Sequence, residues 1–328
     1  MSEKHINAEI VNSYDNTDEL IQRFPVEHAT AVKPGIETNI QNRLLSGFEN
    51  WNRGFDAWKA WGDILYTPES IYNVHGARLT LAQYQAAMNV ILKKTDIQMG
   101  AFHNMLICGD WCAIYYDIST NVGGAWIPGS VMEFVQFKDY GGELGTRVVE
   151  GWGGTKDQSY AGMCMFQGME EKKVQQADQE ALLSMSLKET DDLDVKYPIL
   201  HPTQDKGIWA QEIRDMVLQD IDSWNQGIDA WIEWTKKGYA ANAVSSGLND
   251  QKRTMEEYRE AMKALAEKET IRKLRIDSLL IQDDWAAVHY FFTSENKESG
   301  EKTVGDRMSF LKFAQTNDGL KIVASWTK

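Results

Sequence analysis

Two histidines and two acids of the first half carry the chemistry this sequence can offer. His75 and His103 fall beside and within strand-like segments, and Glu133 and Glu150 lie on two further ones. An imidazole titrates near neutrality, and a carboxyl group in apolar surroundings is pushed toward it. Either can therefore move a proton next to a carbonyl without a cofactor. Each also has a purely structural reading: His103 as a hydrogen-bonded core histidine, His75 beside Gly76 as a turn residue, and Glu150 as a surface ion pair. Tyr72, Trp58, Tyr116, Trp126 and Trp152 could wall a pocket for a flat apolar or aromatic molecule. Trp58 suits a core equally well. Glu150 and Trp152, two residues apart, share one side of their strand.

Other chemistries find no support. GGELG and GWGG lack the lysine and following helix of a phosphate loop, and there is no GxSxG elbow and no HExxH. Asp191, Asp192 and Asp194 form a solvated charge run, and Cys108, Cys112 and Cys164 show no metal-ligand spacing, so neither metal nor cofactor is expected. A formal charge of −14 argues against nucleic acid and anionic membranes. No run of about 18 apolar residues is present, and MSEKHINAEIVNSYDN lacks the apolar stretch of a signal peptide. A cytoplasmic location is the expectation.

The elements that must position these residues occur twice. WNRGFDAWKAW, from Trp51 to Trp61, returns as WNQGIDAWIEW, from Trp224 to Trp234, identical at seven of eleven positions (224 − 51 = 173). LAQYQAAM matches MEEYREAM, CGDWCAIYY matches QDDWAAVHY, MEFVQF matches MSFLKF, and RVVEGW matches KIVASW, all in the same order. A repeat of domain length means two copies of one fold rather than a solenoid. Residues 1–36 read as an extended arm with one short helix near Asp18–Phe24, 37–157 as a first domain, 158–207 as a helical linker, and 208–328 as a second domain. Each half reads helix, strand, helix, then an antiparallel meander. Leu44, Phe48, Trp51, Phe55 and Trp58 give one helical face, with Gly54 and Gly62 allowing close approach. Thr80 and Gln83 have the spacing of a capping box, and Gly109-Asp110 and Gly141-Gly142 signal hairpins. The class is α+β, helices on one face of a curved sheet.

With these features in place, each half resembles the NTF2-like superfamily, closest to its SnoaL-like (polyketide cyclase) branch. The resemblance rests on Trp51–Trp61, GDWCAIYY and RVVEGWGGTKD, and on WNQGIDAWIEW, DDWAAVHY and KIVASW in the second half. It implies two tandem cone-shaped α+β barrels with an apolar pocket between helices and sheet, pairing sheet to sheet as an intrachain pseudo-dimer, with a further homodimer open. It also implies an aspartate near the end of the last strand as acid/base, for which Asp157 is the matching residue. The second half ends Trp326-Thr327-Lys328 with no such aspartate, and has Asp277 where the first has His103 and Ser246 or a neighbour at His75, so it is expected to be silent.

Two functions follow from these expectations. One is a cofactor-independent lyase or isomerase, of cyclase or dehydratase type, acting on a small apolar carbonyl or polycyclic compound in the first domain. His103 or His75 would serve there with Asp157 or Glu150. The other is a non-catalytic small-molecule-binding or assembly protein. The pseudo-dimer expectation has its own test: limited proteolysis between Asp157 and Gly207 should leave the halves associated on gel filtration, and two independent monomers would sink it.

Overall fold

The structure, a computed structural model, describes residues 26–29, 31–74, 77–153, 175–176, 179–247 and 251–328. The chain divides into two compact units, Met1–Gln176 and Ala177–Lys328. No described helix is long and apolar enough to cross a membrane, which says nothing about strands.

The repeated tryptophan stretch is not one helix in either unit. In the first, α1 (Ile36–Gly47) passes into a 3-10 turn (Phe48–Arg53), and α2 (Phe55–Leu65) starts afresh. Gly54 causes the break. Its φ of 87° is open to glycine and unfavourable for residues with a β-carbon. Its counterpart Gly227 has a φ of 123° and separates the two corresponding helices of the second unit. A β-carbon at Gly54 would touch nothing, and one at Gly62 would meet only the Tyr66 ring at 3.8 Å. The expected close approach at these glycines is therefore absent; Gly54 serves backbone conformation instead. α3 (Leu81–Lys94) opens on the expected capping box, Thr80 with Gln83, and the second unit repeats it as Thr254 with Glu257.

The strands of the first unit are β1 (Val26–Ala29), β2 (Tyr66–Val74), β3 (Ala77–Thr80), β4 (Asp96–Cys108), β5 (Trp111–Val122), β6 (Ala125–Asp139), β7 (Thr146–Gly153) and the two-residue β8 (Gln175–Gln176). They form one sheet in the order β1-β4-β5-β6-β7-β2-β3-β8. The second unit holds the short helices α4 (Gln179–Ser184) and α5 (Leu193–Lys196), strand β9 (Ile199–His201), and the helix pair α6 (Ala210–Gln226) and α7 (Ile228–Gly238). After these come β10 (Tyr239–Ser246), β11 (Lys252–Thr254), α8 (Met255–Lys268), β12 (Glu269–Gln282), β13 (Trp285–Asn296), β14 (Lys302–Thr316) and β15 (Gly319–Thr327). Read from its other edge, the second sheet runs β9-β12-β13-β14-β15-β10-β11, which is the order of the first seven strands of unit one.

The repeat reaches further than the sequence motifs do. Val26, within the expected arm, pairs parallel with Phe102, and Ile199, within the expected linker, pairs parallel with Ile276. The segments expected as arm and linker each contain the edge strand of their own unit. These strands are three and four residues long, too short to show a period of their own. The helix expected at 18–24 falls outside the described residues; of the one expected over 169–187, residues 169–174 and 177–178 do too, 175–176 form β8, and helix is found only at Gln179–Ser184.

One polar contact explains the asparagine kept in both motifs. Asn52 Oδ1 accepts the Met99 amide hydrogen at 2.8 Å, and Asn225 Oδ1 accepts that of Lys273 at 2.9 Å. Asn225 also donates through Nδ2 to the Lys273 carbonyl at 2.7 Å. The side chain thus ties the end of the helix to the first half of the long strand that follows. Removing it leaves a half-buried amide and carbonyl unpaired. Asn225→Ala should lower the stability of the second unit by about 1–3 kcal/mol, read as a shift in urea midpoint; an unchanged midpoint would show that the tie is not needed.

Candidate functional site

Helices and sheet enclose one interior per unit, and the expected site residues distribute unevenly about the first. Tyr72, Trp58 and Tyr116 are buried in the helix-side core. Tyr72 donates to Glu133 Oε1 at 2.5 Å and stacks on Tyr84, centroids 4.2 Å apart. Trp58 packs edge-on against the same Tyr84 at 5.4 Å. Tyr72, Tyr116, Glu133 and Trp58 are therefore brought together.

His103 is not with them. It lies on the sheet face away from the helices, beside Tyr115, its ring nitrogens 2.9 Å from Glu27 and 2.8 Å from Asp117. Burial acts to lower its pKa, but the hydrogen bonds to both carboxylates prevail and raise it. Glu150 accepts from Asn73 at 2.8 Å and from Arg78, an ion pair rather than a poised base. Trp152 stacks on Trp111 at 5.5 Å, a pair repeated by Trp285 and Trp326 at 5.6 Å, which marks it as structural. Trp126 is 48% exposed. His75 and Asp157 lie outside the described residues.

Among the described residues the first interior is nearly filled. Its cavity is about 20 Å³, room for about one water molecule, with Glu133, Trp61, Tyr66 and Tyr84 in its wall. Trp61 turns inward over Gly47, where a β-carbon would overlap the indole, and donates to the Arg43 carbonyl at 3.4 Å. Tyr72 lies flat against Gly151, whose β-carbon would sit 2.8 Å from the ring, and its hydroxyl would likewise clash with a β-carbon on Gly153. Burial pushes the Glu133 carboxyl above its ordinary pKa, outweighing the hydrogen bonds from Tyr72 and Tyr116 that favour the anion.

The second interior is open. Sheet register fixes the correspondence: Tyr72 becomes Ser245, Glu133 becomes Ser309, and Gly151 becomes Ser325. Two bulky side chains are thus replaced by serines. Ser325 donates to Ser245 at 3.0 Å, an arrangement for which the Tyr72 ring leaves no room in the first unit. Asp220 stands at the position of Gly47, and Trp234, the counterpart of Trp61, packs against Tyr239 at 5.8 Å instead. The result is a cavity of about 470 Å³. That is within the range of small-molecule sites.

Its wall combines Ile221, Trp224, Met262, Ile271, Val288 and Phe292 with one enclosed ion pair. Lys273 Nζ lies 3.0 Å from Asp220 Oδ2, while Trp231 donates its indole hydrogen to Oδ1 at 2.9 Å. The ammonium also sits over the rings of Trp224 at 5.4 Å and Tyr290 at 5.2 Å. Burial acts to lower the Lys273 pKa, yet the Asp220 charge and then Tyr290 outweigh it, and the amine stays protonated. Tyr258, also in the wall, is raised to about 12, by burial first and then by Tyr290, so it remains a neutral hydroxyl. The site holds a fixed cation, a paired carboxylate and phenol donors, a set suited to binding and orienting an electron-rich group. Among the described residues, no group of three or more His, Cys, Asp or Glu side chains is arranged to hold a metal ion.

Sequence reasoning sought acids and histidines lost from the second half and so overlooked those gained there. Gly47 against Asp220 and Met99 against Lys273 were visible in the alignment of the copies. That both face one cavity was not.

No family model matches the sequence, and no curated protein matches it. Among solved structures the chain is similar to a ketosteroid isomerase-like protein from Erwinia carotovora atroseptica, 18% identical over 37% of this chain and 95% of that one, with a TM-score of 0.30. It is similar also to an NTF2-like superfamily protein from Salmonella enterica, 14% identical over 36% and 88%, TM-score 0.30. A SnoaL-like polyketide cyclase from Agrobacterium tumefaciens is 18% identical over 35% and 89%, TM-score 0.30. Each covers about a third of this chain.

The raised Glu133 carboxyl makes a prediction with a definite sign. In the unfolded chain this group ionises at the ordinary carboxylate pKa, whereas the folded protein holds its proton to higher pH. Between those two values the unfolded state binds fewer protons, so stability falls as pH rises. Glu133→Gln should remove that part of the decline in urea midpoints measured from about pH 4 to pH 8; parallel profiles for both proteins would show Glu133 to be ionised in the fold.

Proposed function

We propose that this chain binds a small, largely apolar or aromatic molecule in the cavity of its second unit. The observation that carries the reading is the contrast between the interiors, about 470 Å³ against about 20 Å³, produced by side chains on the same backbone plan. This is the non-catalytic alternative of the sequence reading, moved to the half expected to be silent. Turnover of lyase or isomerase type in the first unit would need space that its tyrosines and Trp61 occupy, and His103 faces away from it.

One feature favours a second reading, acid/base turnover in the second cavity: the Asp220 carboxylate lies in an apolar wall beside Tyr258 and Tyr290. Its ion pair with Lys273 works against this, because a nearby cation stabilises the ionised carboxylate and weakens it as a base.

The neutral fluorophore N-phenyl-1-naphthylamine provides the test. It should bind the full chain with one site, and Val288→Trp, which fills the cavity, should weaken binding by about tenfold or more. Ser309→Phe offers a second filler if overpacking at Val288 prevents folding. His103→Ala should leave affinity unchanged. Binding that survives both fillers, or that disappears with His103, would overturn the proposal.

A further inference from the structure

The cationic groups of the second cavity carry the reading further, to the chemical class of its ligand. We propose that the cavity is built for an organic anion, a flat or alkyl body bearing one acidic group such as a carboxylate or sulfonate. The inference rests on the cavity being the binding site.

Three cations line it: Arg253, Lys273 and Arg307. The ladder registers identify their counterparts in the first unit. Lys273 pairs with Phe292 as Met99 pairs with Ile118. Arg253 pairs with Ser245 as Leu79 pairs with Tyr72. Arg307 pairs with Tyr290 as Val131 pairs with Tyr116. All three positions are apolar in the first unit and cationic in the second. The one acid gained among them, Asp220, is already engaged by Lys273 and Trp231. Two further positive charges, Arg253 and Arg307, line the cavity of a chain whose formal charge is −14.

The two guanidinium groups are available for a ligand. Arg253 donates one hydrogen bond to the Gln251 side chain at 2.6 Å, and Arg307 donates one to the Asp306 carbonyl at 2.8 Å. Among the described residues neither is in a close ion pair with a carboxylate, although the Arg253 charge helps to lower the pKa of Glu257, after its hydrogen bonds from Thr254. A guanidinium presents five donors in a planar fork that matches a carboxylate or sulfonate. Arg307 also lies over the Phe292 ring, 4.9 Å from its centroid, so its fork is held at the aromatic wall rather than swinging in solvent. A neutral ligand of the same shape would displace water from these donors and leave them unpaired, which costs affinity. An anion would satisfy them.

The test compares N-phenyl-1-naphthylamine with 8-anilino-1-naphthalenesulfonate, which carries the same rings plus one sulfonate, by fluorescence titration of the full chain at low salt. The sulfonate should bind about tenfold or more tighter. Replacing both arginines (R253M with R307M) should remove that advantage, the sulfonate losing affinity while the neutral dye loses none. The single variants R253Q and R307Q, each with an intermediate loss, keep the test if the double variant fails to fold. Equal affinities in the unaltered protein, or an unchanged ratio in the variants, would overturn anion recognition and leave the binding reading intact. Sulfonate binding that persists in Val288→Trp would place the anion elsewhere and overturn the proposal. Absence of binding by either dye would remove the binding reading and this inference with it.

Discussion

The space between helices and sheet is the constraint on which the rest of this protein depends. Its dimensions are set by backbone devices common to both units: the break at Gly54 and Gly227, the asparagine tie from helix to strand, the capping box, and an identical strand order. A protein interior is close-packed, so such a space must either be filled by side chains or hold something else. The two units take opposite courses on one backbone plan.

In the first unit the filling is reciprocal. Trp61 can turn inward because residue 47 is glycine, and Tyr72 can lie across β7 because Gly151 and Gly153 lack side chains there. Glu133 then stands in a wall of phenols that both bury it and bond it. Titratable residues converge, yet among the described residues the space beside them has room for about one water molecule. A perturbed carboxyl in a filled core is a structural feature here, and it illustrates why a shifted pKa needs an accessible void before it indicates chemistry.

In the second unit the same positions carry smaller or charged groups, and the charges are managed rather than merely tolerated. Lys273 is held by Asp220 and by two aromatic faces, so that an amine close to apolar walls keeps its proton. Asp220 in turn has both oxygens occupied. Such pairing satisfies the demand that buried charge be compensated.

Sequence alone determined the duplication, the α+β class, the hairpins, the capping box and the meander, because these rest on local spacing and on identities repeated between the halves. It also named Tyr72, Tyr116, Glu133 and Trp58 as candidates for one pocket, each with a packing alternative. Tertiary structure decided what periodicity cannot express. The edge strands β1 and β9 are too short to signal themselves and exist only by pairing with a distant strand. His103 and Glu150 face the other side of the sheet, since strand bulges shift which residues point inward. Above all, whether a cavity is open depends on the summed volume of residues far apart in the chain, such as Gly47 with Trp61 or Ser245 with Ser325. Close packing couples those volumes only after the chain has folded.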